Sequence, residues 1–263
     1  MNQASVGFHC PECTRTGRQK VIRGAAALAR PRPVVALVLV AINVAIFLVE
    51  LGSAGGAGSS DLSIEGSLIG RGWVFDNQWL QGPHPLAEEV GVALGDWWRI
   101  VTSGFLHINY FHIGFNMFLL WQLGLLLEGA LGRVGFVVLY FMSLLGGSFL
   151  ILVITPDQPT LGASGAVFGL MGAAFVGLRS RGIDPFSTGI GPLIVLNLIL
   201  TFAIPRVSIG GHIGGLVAGA IGGWLLLDLA PRIPNGKVVA PLLCGAAGIV
   251  FFMASLYIAA NPI

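Results

Sequence analysis

Charge is scarce in this chain. Only 10% of its 263 residues are Asp, Glu, Lys or Arg, where a soluble domain normally carries about 25%. So little charge cannot cover a water-facing surface, and with 55% of the residues hydrophobic the expected solvent is lipid. The net charge of +2 is too small to argue for a nucleic-acid partner. No segment has the shape of a cleavable signal peptide. The first 20 residues are polar and the first apolar run has no small-residue cleavage site behind it, so that run reads as a retained span. Strand-like alternation is missing too, which argues against a membrane β-barrel. What is abundant is glycine, 39 residues of it, as expected where transmembrane helices pack through small residues.

About 20 apolar residues are needed to cross the hydrocarbon core as a helix. Seven runs qualify: 34–51, 105–127, 134–154, 163–178, 190–204, 212–229 and 238–260. The fourth and fifth are short, and would begin below the membrane surface beside a water-filled recess. Placing the N-terminus in the cytoplasm puts eleven Lys and Arg on inside segments and only Arg71, Arg99 and Arg206 outside. By the positive-inside rule the N-terminus is cytoplasmic and, with seven spans, the C-terminus extracytoplasmic. The longest connection, 52–104, opens with a Gly/Ser-rich stretch read as a loose extracellular segment to about residue 66. Its later part carries Trp73, Phe75, Trp79, Trp97 and Trp98, aromatics that favour the headgroup interface.

Few polar side chains interrupt the spans. His107, His112 and Asn116 fall in the second, Ser164 opens the fourth and His212 opens the sixth. Even-numbered spans all run from outside to inside, so these groups share one layer near the outer face. Ionisable groups at such depth suggest function. Serine becomes a nucleophile when a base takes its proton, and histidine is suited to be that base. An attacked carbonyl needs donors aimed at its oxyanion. His112 and Asn116, four apart on one helix face, and the unpaired N–H groups that open the fourth span could supply them. Gly162 and Gly165 flank Ser164, and Gly214, Gly215 and Gly219 follow His212. Two glycine-faced helices can come close enough for the serine to reach the histidine.

Over residues 34–229 the chain resembles the rhomboid intramembrane serine proteases. The motifs are Gly162-Ala163-Ser164-Gly165, like the family's GxSG, and His212 with Gly215 and Gly219, like its HxxGxxxG. His107, His112 and Asn116, Trp98-Arg99 before them, and Glu128-Gly129-Ala130-Leu131-Gly132 after them also match. The resemblance implies an all-α, polytopic transmembrane bundle of six core helices plus one C-terminal helix. It implies Ser164 as nucleophile, His212 as general base, His112 and Asn116 in the oxyanion hole, no metal or other cofactor, and transmembrane proteins as substrates. Where the family usually has a Tyr stacked on the catalytic histidine, this chain has Phe168. His107 is expected at the loop–helix junction, Trp98 and Arg99 as structural residues at the interface, and Glu128 paired with Arg133 or capping neighbouring loops. The expected division is a cytoplasmic segment 1–33, a core 34–229 that includes the 52–104 loop, and a linker with the additional helix over 230–263. The expected location is the cell membrane.

Two alternatives stay open: a catalytically silent rhomboid-like binder of transmembrane helices, for which Phe168 is the only motivation, and a transporter, which the absence of a clear inverted repeat disfavours. Cys10 and Cys13 with His9 form half of a tetrahedral zinc site. The segment around them resembles the cysteine-rich N-terminal region of some actinobacterial rhomboids. Zinc is expected only if a longer native N-terminus upstream of Met1 completes the site. Cys244 reads as an apolar packing residue.

Overall fold

A computed structural model of the chain describes residues 32–53 and 60–262, together with the backbone of two short strands, β1 (Asn2–Gln3) and β2 (Phe8–His9). The chain divides into two units, Met1–Arg32 and Pro33–Ile263. In the first, β1 and β2 pair antiparallel; Cys10 and Cys13 lie outside the described residues.

The second unit is a bundle of apolar helices. Its long elements are α1 (Val34–Ser53), α4 (Tyr110–Ile154), α5 (Ser164–Arg179), α6 (Ile190–Ala203), α7 (Ile209–Gly223) and α8 (Gly236–Ala260), with α2 (Asp61–Gly66) and α3 (Arg99–Thr102) as short pieces between α1 and α4. A π-helical turn, Trp224–Leu229, prolongs α7. Among the described residues four helical stretches are long and apolar enough to cross a membrane: α1, α4, the run from α7 to Arg232, and α8. α5 and α6 are apolar but shorter. The chain is thus a polytopic membrane helix bundle.

α4 departs from a simple rod. Its 45 residues would measure about 67 Å at 1.5 Å per residue, against a hydrocarbon core of about 30 Å. It breaks at Gly132, where φ is 71° and ψ is 168°, a conformation glycine reaches without a Cβ penalty. The second expected span also starts later than the apolar run suggested. Asn109 caps α4 by accepting the His112 N–H at 2.9 Å, so the helix begins at Tyr110 and His107 lies in the turn before it rather than in a span.

From residue 60 on, the 52–104 connection is more ordered than expected. Ser60 caps α2 through the Ser63 N–H at 3.1 Å, which places structure inside the stretch expected to be loose. Further on, β3 (Gly72–Phe75) pairs antiparallel with both β4 (Gln78–Leu80) and β5 (Glu88–Val90). Asp76 and Asn77, both at positive φ, close the β3–β4 hairpin as a two-residue turn of the kind whose twist matches the strands. The strands hold three or four residues each, too few for alternation to show in sequence.

Within the bundle α5, α7 and the second half of α4 are the closest-packed elements, with α1 and α8 against α4. α6 stands at the edge, with α5 and α7 as its main neighbours among the long helices. The main core gathers Leu120, Phe136, Leu139, Tyr140, Leu170 and Met171, all fully buried.

Candidate active site

Ser164 is the first residue of α5. The chain reaches it through Gly162, at φ 133°, whose N–H is anchored on the Ser103 carbonyl at 2.8 Å. A Cβ built there would press on the His112 ring at 2.7 Å, so glycine is required twice over, by conformation and by space. His212 lies in the first turn of α7, where Ser208 caps the helix by accepting the Gly211 N–H at 3.0 Å. The two helices touch backbone to backbone. A Cβ on Gly215 would fall on the carbonyl of Gly165, and one on Gly219 on the carbonyl of Gly169. Because nothing but hydrogen separates the helices there, Ser164 Oγ and His212 Nε2 meet at 2.9 Å.

The imidazole is held on two further sides. Phe168, one turn along α5 from Ser164, stacks on it with centroids 4.1 Å apart and planes 15° apart. The stacking expected at this position is therefore made without a phenolic hydroxyl. On the other ring nitrogen, Nδ1 lies 2.6 Å from Thr201 Oγ1. Thr201, at the end of α6, is 2% exposed and was not among the residues singled out by sequence. A signal existed: Asn197 and Thr201 interrupt the apolar run of α6 at a spacing of four, which puts both on one face.

A cavity of about 1040 Å³ opens over the pair. Ser164, His212, His112, Asn116, Phe168 and Thr201 all line it. Ala163 offers α5 no side-chain cap, so the N–H groups of its first turn keep their capacity for an outside acceptor. The Asn116 amide donates one hydrogen to the His112 carbonyl at 2.9 Å and retains a second. Next to them His107 and His112 lie with ring centroids 5.0 Å apart. The His107 N–H donates to Glu50 Oε2 at 3.1 Å, tying the turn before α4 to α1. Glu50 was not foreseen, because its partner lies 57 residues away.

The remaining residues serve the frame. Arg99 is buried and clamps the 52–104 connection, donating to Asp96 at 2.8 Å and to the Ile64 and Ser67 carbonyls at 2.6 and 3.2 Å. The Trp98 indole donates to the Glu65 carbonyl at 3.3 Å. Glu128 does not pair with Arg133. Its two carboxylate oxygens accept the Val35 and Ala36 N–H groups at 3.0 and 3.1 Å, capping α1 across the bundle. A helix N-terminus, with unpaired donors and a positive dipole end, is a better partner for a buried carboxylate than a solvated guanidinium. Cys244 is fully buried, in keeping with a packing role.

Comparison with known proteins bears on the same region. The rhomboid domain matches residues 94–229, the stretch that holds Ser164, His212, His112 and Asn116. The rhomboid protease GluP of Bacillus subtilis is 38% identical over 131 residues, 49% of this chain and 26% of that protein. RHOMBOID-like protein 5 of Arabidopsis thaliana is 38% identical over 160 residues, 57% of this chain and 51% of the plant protein. Rhomboid-like protease 1 of Toxoplasma gondii is 34% identical over 136 residues, 49% of this chain and 46% of the relative. The chain spans about half of the length of two of these relatives and a quarter of the first. With a domain match over more than half of its residues, this chain belongs to the rhomboid family of membrane proteins.

Proposed function

We propose that the chain is an intramembrane serine protease that hydrolyses peptide bonds in or near the transmembrane helices of other proteins. The observation that carries this reading is the 2.9 Å approach of Ser164 Oγ to His212 Nε2 on the wall of a large cavity inside an apolar bundle. In this mechanism His212 takes the Ser164 proton as the hydroxyl oxygen attacks the scissile carbonyl. The oxyanion is held by the first-turn N–H groups of α5 with His112 and Asn116. His212 then protonates the leaving amine, and water hydrolyses the acyl-enzyme. A substrate helix must unwind locally, since a helical carbonyl is hydrogen-bonded and shielded, so substrates carry helix-weakening residues near the cut.

The same reading sets the topology. In it α4 counts as two crossings that meet at Gly132, and with α1, α5, α6, α7 and α8 the crossings are seven, a six-helix core to residue 229 and an added helix after it; the break at Gly132 supports that count. The Lys and Arg distribution supports a cytoplasmic N-terminus, with the site near the outer membrane face. Two of the three relatives described above bear the name of protease. A silent helix-binding protein would need neither the serine nor the histidine, and the substitution that motivated that alternative, Phe168, leaves the stacking on His212 in place.

The test is a panel of single-pass helices incubated with purified protein, cuts being mapped by mass spectrometry. Wild type cleaves; Ser164→Ala and His212→Ala, folded to the same melting temperature, do not. Cleavage by well-folded Ser164→Ala would end the protease reading.

A further inference from the structure

The His212 side chain has two nitrogens, and a neutral imidazole carries one proton between them. Only when that proton sits on Nδ1 does Nε2 offer Ser164 a lone pair. Among the described residues no carboxylate bonds to His212. Its Nδ1 meets the Thr201 hydroxyl instead, at 2.6 Å. A hydroxyl can donate as well as accept, so this contact alone does not choose the tautomer. The choice is made one turn away. Thr201 Oγ1 also lies 2.7 Å from the Asn197 carbonyl oxygen. A carbonyl can only accept, and two oxygens approach this closely only with a hydrogen between them. The single hydroxyl hydrogen is therefore spent on Asn197, in the backward i−4 bond common for Thr in helices. What Thr201 turns toward His212 is a lone pair, and the ring must answer with Nδ1–H.

We propose that Thr201 is a positioning residue, which through the Asn197 carbonyl holds His212 in the Nδ1–H form with Nε2 free to accept from Ser164. This rests on the reading of Ser164 and His212 as the catalytic pair. The group is uncharged, which suits its place: a carboxylate there would need its own desolvation compensated, whereas the hydroxyl is satisfied on both sides. When Nε2 takes the serine proton, Nδ1–H remains on Thr201, so no second proton moves. The stacked ring of Phe168 fixes the plane of the imidazole, and Thr201 fixes its rotation within that plane.

Labelling of Ser164 by a fluorophosphonate probe tests this without knowledge of the substrate. In Thr201→Val, which keeps the shape and removes the acceptor, the rate constant at saturating probe falls about tenfold, the order of one lost hydrogen bond expressed in the transition state. The half-saturating concentration stays put, and Thr201→Ser restores the rate. Nitrogen-15 NMR of histidine-labelled protein, with the His212 signal assigned from His212→Ala, gives an Nδ1–H tautomer in wild type and Thr201→Ser and a mixture in Thr201→Val. Wild-type labelling kinetics in Thr201→Val, alongside complete loss in Ser164→Ala and His212→Ala, would overturn the role of Thr201 and leave the catalytic pair standing. Undiminished labelling in His212→Ala would remove the pair and this inference with it. If Thr201→Val does not fold, the tautomer of the wild-type protein decides: an Nε2–H ring refutes the proposal.

Discussion

The two interfaces that meet at His212 are built on opposite terms. Between α5 and α7 the contact is backbone on backbone, glycine opposite carbonyl at Gly215 and Gly219. Between α6 and α7 it is sparse. α6 buries only Gly191, Asn197 and Thr201, and turns Val195, Leu196, Ile199 and Phe202 outward. In a bilayer the lipid is as apolar as the side chains, so helices hold together by close packing and polar contacts rather than by hydrophobic expulsion. The first interface has the packing; at the second, α6 sets Leu193, Ile194 and Leu198 partly buried against the core, and its hydrogen bond to α7 is the one between Thr201 and His212. The distance between serine and histidine is thus set by the rigid pair of helices, while the orientation of the imidazole depends on a helix at the edge.

The largest effect should come from breaking the rigid interface. Gly219→Val places a branched side chain where the Gly169 backbone already lies. Overpacking of this kind costs about 1–3 kcal/mol and at times more. Here the helices must also part, which separates Ser164 from His212. The thermal midpoint in detergent should drop by many degrees and labelling of Ser164 should vanish. A variant that retains both would show that the close approach is not what holds the site.

Gly162→Ala comes next, because it strikes the site without touching the helix pair. Its Cβ meets the His112 ring, and φ at 133° strains any residue with a side chain. The chain before Ser164 or His112 itself must shift, and the donors assigned to the oxyanion move with it. Loss of one such donor elsewhere costs about 10²–10³ in rate, and a fall in cleavage of that order, with a much smaller change in midpoint than in Gly219→Val, is expected. Equal damage to midpoint and rate would mean that this turn belongs to the frame as much as to the site.

The rigid half of the comparison was legible in the sequence and the edge half was not, for physical reasons. Gly215 and Gly219 advertise a close helix approach, and Ser164 and His212 stand out because polar groups in apolar runs demand explanation. The depth argument then needs only the count and direction of spans. Thr201 and Asn197 announce nothing of the kind. A hydroxyl or amide in a helix can satisfy itself on the carbonyl four residues back, as Asn197 does on Leu193 and Thr201 on Asn197, so neither implies a partner elsewhere. For Glu128 the sequence left two readings, a pair with Arg133 or a cap on neighbouring loops; it caps, but on the start of α1, whose backbone donors lie more than 90 residues away. The start of α4 was misjudged because hydropathy measures apolar runs while Asn109, a cap, sets the boundary.

The smallest effect is expected on α6, and its smallness is the point. Ile199 lies two residues before Thr201 and is 58% exposed, so the two side chains face nearly opposite ways on the helix. Ile199→Ala removes outward-facing surface, and stability should change by no more than about 0.5 kcal/mol, as for surface positions generally. Labelling of Ser164 should keep its wild-type rate. Paired with Thr201→Val, this separates two ways in which α6 could matter: as a packed wall, whose every truncation tells, or as a carrier for one hydroxyl. A midpoint loss in Ile199→Ala approaching that of Gly219→Val would mean α6 is embedded as firmly as α5, and the contrast between the two interfaces of His212 would dissolve.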